Sequence, residues 1–260
     1  MFGRQKIATL VAEFLGTGFL TLLVVSVQRS TIGVTFFVAM TAGLTIALLY
    51  FAFGRLSGGY FNPALTLAMW TTRKLTTART LVYLAAQFAG AYAAYALYRY
   101  YAKTAMQPIP GEFSGRLLTA EAVGAGLLAL TFAAAYYQKL TTAMRGTVYG
   151  IGYMVAALSA STVAVGLVNP ALALADLGAH SWVLGAYVLG PILGAVVGAN
   201  LYHYLFAPAM AEVVVATVVS PTVSAKPVVK TAVARKTRKS AATKSTTRKS
   251  TTKVATKRKK

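Results

Sequence analysis

The sequence predicts an all-α membrane protein: six transmembrane helices and two re-entrant half-helices, arranged as an inverted three-span repeat. Three observations lead there. The 260 residues are 57% hydrophobic and only 12% charged, which leaves too little polar surface to cover a soluble globule of this size. Six apolar stretches approach the roughly 20 residues that a helix needs to cross about 30 Å of hydrocarbon. The triplet Asn-Pro-Ala occurs twice, as Asn62-Pro63-Ala64 and Asn169-Pro170-Ala171, and each time it opens an apolar stretch too short to cross.

Taken in order, the first span lies near 7–27. It follows only Arg4 and Lys6, contains Glu13 and is succeeded by further spans, so it reads as a transmembrane helix and not as a cleaved signal peptide. A second span near 33–54 leads to the first triplet. Asn caps a helix and Pro at the first helical position has no N–H to leave unsatisfied, so Asn62-Pro63 starts a short helix. The third and fourth spans lie near 80–101 and 117–138, and the fifth near 146–165. Asn169-Pro170 then starts the second short helix, and the sixth span follows near 182–206.

The halves repeat each other. Ala12-Glu13-Phe14-Leu15-Gly16-Thr17-Gly18 recurs in pattern as Ala120-Glu121-Ala122-Val123-Gly124-Ala125-Gly126. Gly90-Ala91, Leu97-Tyr98 and Tyr100 recur as Gly194-Ala195, Leu201-Tyr202 and Tyr204 at one offset. Three spans are an odd number, so the second copy sits upside down and the two short helices enter from opposite faces. The expected division is a first repeat over 1–110, a second over 111–208 and a tail over 209–260. Arg4, Lys6, Arg55, Arg73, Lys74, Arg79, Lys139, Arg145 and the tail fall on one side of this six-span count, against Arg29, Arg99, Lys103 and Arg116 on the other. The bias predicts that both termini are cytoplasmic.

Opposed half-helices bring their positive dipole ends together near the bilayer midplane. Backbone leading into them cannot face lipid with bare carbonyls, so it lines a cavity or is buried in protein. The amides of Asn62 and Asn169 would donate to a passing hydroxyl oxygen, and the dipoles would repel cations and protons. Water and small neutral solutes are the expected cargo.

With its twin triplets, the loop Ser57-Gly58-Gly59-Tyr60-Phe61-Asn62-Pro63-Ala64 and the span segment Gly190-Pro191-Ile192-Leu193-Gly194-Ala195, the chain resembles the aquaporin and aquaglyceroporin (major intrinsic protein) superfamily over nearly all of residues 7–206. The resemblance implies a homotetramer, and it implies that Glu13 and Glu121 hydrogen-bond the backbone of the re-entrant loops. Most members of the family place Arg directly after the second triplet; this chain has Leu172. The other constriction positions, matched by spacing, are Ala42, Ala157 and Gly166. A filter of these four is wide, apolar and without a fixed cation, which points to glycerol- and urea-type solutes beside water. Alternatives are a structural or junctional membrane protein of low permeability, a pore that leaks ions or protons, and a secondary transporter.

The absence of cysteine excludes disulfides and thiolate chemistry. No nucleophile, metal cluster or phosphate loop is evident, so neither an enzyme nor a cofactor is expected. His180 and His203, near the ends of the sixth span, fit interfacial packing, as do Tyr98, Tyr100, Tyr101, Tyr202 and Tyr204. Asp176 is expected to cap or close a loop. The net charge of +21 is concentrated: fourteen of the 26 basic residues lie between Lys226 and Lys260. That Lys-, Ser- and Thr-rich tail is expected to be disordered from about residue 222 and to bind anionic lipid before nucleic acid.

Overall fold

The computed structural model describes residues 3–103 and 111–212, and the tail over which lipid contact and disorder are expected lies outside them. Eight helices follow in order: α1 (Arg4–Gln28), α2 (Thr35–Ser57), α3 (Pro63–Thr71), α4 (Thr77–Ala102), α5 (Gly115–Tyr137), α6 (Thr142–Ala160), α7 (Pro170–Leu177) and α8 (Ser181–Glu212). Among the described residues there is no strand. Five of the six long helices are long and apolar enough to cross a membrane. The exception is α6, whose Arg145, Tyr149, Tyr153 and three glycines dilute an otherwise apolar run.

Two expected spans differ from what is observed. The fifth helix covers Thr142–Ala160, not 146–165; it stops early because Ser161 turns back on it, its hydroxyl donating to the Ala157 carbonyl at 2.6 Å, and residues after it belong to the re-entrant loop. The sixth runs on through Glu212, beyond the expected end at 206 and past the position taken as the start of the tail. It is interrupted by wide π turns at Leu184–Leu189 and Tyr202–Phe206. The first π turn precedes Pro191, which has no N–H to give to the turn before it; a widened turn relieves the clash of its ring with that turn.

The surface is apolar, and polar side chains are withdrawn into an otherwise apolar interior, as a lipid solvent requires. Leu48 and Phe51 of α2 are each 67% exposed, whereas Glu13, Asn62, Thr66, Gln87, Glu121 and Asn169 are fully buried. Without a hydrophobic drive between helices, close approach has to come from small residues. The repeat shows in where they sit: α1 packs on α4 and α5 on α8. A Cβ on Gly18 would lie 3.1 Å from the Gly90 carbonyl oxygen, and one on Gly126 would lie 3.2 Å from that of Gly194. Between the halves, α2 crosses α6 at Gly43 and Gly150, where an added Cβ would come within 2.6 Å and 2.5 Å of the partner's carbonyl oxygen. The short helices α3 and α7 both lodge between α4 and α8, one from each half.

Gly150→Leu should therefore push α2 and α6 apart at a cost of at least about 1–3 kcal/mol, the usual penalty of overpacking. Gly115→Ala, where nothing lies within 4 Å, should be silent. Heating the detergent-solubilised protein and following monodisperse recovery by size-exclusion chromatography checks this; equal midpoints for the two variants would contradict the crossing.

Candidate functional site

The two triplets start the short helices as their chemistry demands. Asn62 Oδ1 accepts from the Ala64 N–H at 2.9 Å, and Asn169 Oδ1 accepts from the Ala171 N–H at 3.1 Å, with Pro63 and Pro170 as first helical residues. With its oxygen committed to the cap, each amide has only its NH2 left to direct elsewhere. Asn62 Nδ2 donates to the Val168 carbonyl at 2.9 Å, and Asn169 Nδ2 donates to the Phe61 carbonyl at 3.0 Å. Each asparagine thus grips the residue preceding the other one. The two helix N-termini meet head to head, tied by a reciprocal pair of bonds.

That exchange requires an unusual backbone. Phe61 and Val168, the residues before the two asparagines, adopt left-handed conformations with φ of 47° and 45°. For a β-branched valine this is a strained geometry, worth about 1–3 kcal/mol. Glu13 and Glu121 hold it. The Glu13 carboxylate accepts from the N–H groups of Tyr60 (3.1 Å) and Phe61 (2.8 Å), and that of Glu121 accepts from Gly166 (3.0 Å), Leu167 (3.0 Å) and Val168 (2.8 Å). Both carboxylates are completely buried, and these bonds satisfy them.

The halves differ in one respect. Gln87 of α4 donates to Glu13 Oε2 at 2.8 Å and to the Thr66 hydroxyl at 2.8 Å. Its counterpart in the second half, at the same offset that pairs Gly90 with Gly194, is Pro191, which can donate nothing. Glu121 takes a third backbone N–H instead. Sequence reasoning did not single out Gln87; a lone amide within the alanine-rich α4 was the available signal.

Of the four residues matched to the constriction, Ala42, Ala157 and Leu172 are buried in one cluster that also holds Ile46, Tyr149 and Tyr153. Gly166 abuts Ala157: with φ of 75° it occupies the left-handed region, and a Cβ there would collide with the Ala157 carbonyl. Tyr149 and Tyr153 also escaped sequence reasoning. The Tyr153 hydroxyl donates to the Leu167 carbonyl at 2.9 Å, and the Tyr149 hydroxyl donates to that of Tyr60 at 2.6 Å. Spacing could have found them, since they precede Ala157 by one and two helical turns.

On the side carrying Arg55, Lys74, Arg79 and Arg145, a cavity of about 510 Å³ is lined by those four cations and reaches Tyr60. On the opposite side Asp176 does close the structure, in that it joins the end of α7 to the end of α1. Its carboxylate pairs with Arg29 at 2.8 Å and accepts from Gln28 Nε2 at 2.8 Å. His203 packs on Tyr137 and bonds its hydroxyl through Nδ1, while His180 precedes α8.

Glu121→Leu should leave three buried N–H groups without an acceptor, at about 1–3 kcal/mol each, and abolish recovery of folded protein. Glu121→Gln, which keeps the shape but sets an NH2 against N–H donors, should fold with a lowered thermal midpoint. Melting curves in detergent check the order wild type above Gln above Leu; a Leu variant as stable as wild type would show that the loop does not depend on the carboxylate.

The family model for the major intrinsic protein matches residues 4–202. The chain is 30% identical over 191 residues to the protein named probable aquaporin AqpM of Archaeoglobus fulgidus, covering 67% of this chain and 78% of that one. It is 30% identical over 226 residues to aquaporin NIP1-3 of Oryza sativa subsp. japonica (79% and 76%), and 31% identical over 188 residues to human aquaporin-4 (66% and 56%). The solved aquaglyceroporin of Plasmodium falciparum has the same fold, with a TM-score of 0.66 over 79% of this chain and 99% of that one, at 18% identity. With the fold, the head-to-head asparagines and this match in hand, the chain belongs to the major intrinsic protein family and is an integral, multi-pass membrane channel for water and small solutes, not an enzyme.

Proposed function

We propose that the chain conducts water together with small neutral solutes of the glycerol and urea type, passively, along a path that passes Asn62 and Asn169. The observation that supports this reading most is the reciprocal bonding of the two amides, which sets both half-helix N-termini against one point. Two positive dipole ends there disfavour cations and protons, whereas a neutral hydroxylic solute can accept from the amides and pass. Glu13 and Glu121 serve as loop supports, with no coupling role, because every bond they make is to groups that shape the loops.

The outer constriction in this reading consists of Ala42, Ala157, Gly166 and Leu172. Two methyl groups, a hydrogen and an isobutyl group offer neither a hydrogen-bond donor nor a charge, so the outer mouth admits solutes larger than water. The cation-lined cavity is the cytoplasmic mouth, in keeping with the bias of Lys and Arg to that side. Both termini are then inside. Assembly as a homotetramer is inferred from family membership.

Leu172→Arg should refill the outer constriction. In proteoliposomes, stopped-flow light scattering should show glycerol flux falling relative to water flux by roughly tenfold, the discrimination that about 1.4 kcal/mol of added barrier supplies. Unchanged glycerol flux would refute the assignment of these four positions. Mercuric chloride should leave water flux in the wild type unaltered, because the chain has no cysteine. Reversible mercurial block would contradict the passage of water through this pore alone.

A further inference from the structure

We infer that the size-limiting constriction of this channel is a pair of tyrosines, Tyr149 and Tyr153, which close the path on the inner side of the outer mouth by hydrogen-bonding the carbonyls of the two re-entrant loops. The inference rests on the channel reading above. It deepens it by naming the residues that choose the solute where the outer four positions cannot.

Register comes first. On a helix, residues four apart share a face, so Tyr149, Tyr153 and Ala157 form one stripe along α6. If Ala157 borders the path at the outer mouth, the two tyrosines border it deeper in. Both are only 1% exposed. Their hydroxyls do not merely fill space: Tyr153 donates to the Leu167 carbonyl at 2.9 Å and Tyr149 donates to the Tyr60 carbonyl at 2.6 Å.

Those acceptors matter because of where they stand. Tyr60 and Leu167 are each two residues before an Asn-Pro-Ala triplet, and the carbonyls of the intervening Phe61 and Val168 are taken by Asn169 and Asn62. All four carbonyls of the two loop tips therefore receive a donor from within the protein. A hydrated solute finds an acceptor there chiefly by displacing a phenol. Solutes that carry their own donors, such as polyols and amides, can make that exchange; apolar molecules cannot.

Tyr149 is also held from behind. The Tyr149 ring meets Phe132 edge-on at 4.9 Å and Tyr50 edge-on at 5.9 Å, and Phe132 in turn lies 5.5 Å from Tyr60, whose ring reaches the cation-lined cavity. This aromatic girdle draws on α2, α5, α6 and the first re-entrant loop. In the outer set, by contrast, Leu172 is joined only by alanine and glycine. Bulk and polarity have thus moved from the outer mouth to the inner half of the path.

The test is a size ladder in proteoliposomes: water, urea, glycerol and a four-carbon polyol, for wild type, Tyr149→Phe, Tyr153→Phe, Tyr149→Val and Tyr153→Val, each verified as monodisperse before reconstitution. Removing one hydroxyl should raise glycerol flux roughly fivefold, the equivalent of one net hydrogen bond of about 1 kcal/mol, without admitting the four-carbon polyol. Removing a ring should admit that polyol. The phenylalanine variants keep the packing, so they carry the test if a valine variant does not fold. Wild-type fluxes across the ladder in all four variants would overturn the inference while leaving the channel reading intact. Protein-free fluxes in every sample would overturn both, and only that outcome counts against conduction itself.

Discussion

Everything in this fold depends on two buried carboxylates that accept the backbone N–H groups of chain segments with no secondary structure of their own. A re-entrant loop in a bilayer has no water to satisfy it. Here Glu13 takes the N–H groups of residues 60 and 61, and Glu121 those of residues 166 to 168. Once these are fixed, Phe61 and Val168 can be held with positive φ, and their carbonyls turn to meet the opposite asparagine. The half-helices then have a fixed meeting point. Without the carboxylates, neither the strained turns nor the reciprocal asparagine bonds would have a reason to persist.

The repeat is a symmetry of constraints more than of residues. Gly18 against Gly90 and Gly126 against Gly194 repeat nearly atom for atom, because both crossings must bring backbones together. The support of the glutamates does not repeat. The first half adds Gln87 and Thr66, whereas the second, with Pro191 at the matching place, recruits a third N–H and widens a turn of α8. Two different solutions satisfy the same requirement that a buried carboxylate be fully hydrogen-bonded.

Much of this was legible in the sequence, and the reasons differ by residue. Asn62 and Asn169 announce themselves, since Asn before Pro is a helix start and its recurrence in an inverted repeat fixes which ends meet. Glu13 and Glu121 stand out as lone charges in apolar runs. The end of α6 was not legible, because residues 161–168 stay as apolar as the helix they follow, and hydropathy cannot mark a boundary between a buried helix and a buried loop. Tyr149 and Tyr153 were hidden by their type: tyrosine in a span reads as an interfacial anchor. Only their register with Ala157, and the loop carbonyls that they reach, give them another role. The π turn before Pro191 was signalled by the proline, but its extent was not.

The central claim is that two opposed helix N-termini, locked through Asn62 and Asn169, leave a path for neutral solutes and a barrier to protons although no arginine follows the second triplet. The most direct measurement pairs two readouts in one preparation of wild-type proteoliposomes: water and glycerol flux by light scattering, and proton entry by an enclosed pH-sensitive dye after an external acid step. Solute fluxes well above those of protein-free vesicles, with proton entry no faster than in those vesicles, are the predicted result. Proton entry rising in step with the amount of reconstituted protein would contradict it, and would show that the half-helix dipoles alone do not close the path to charge.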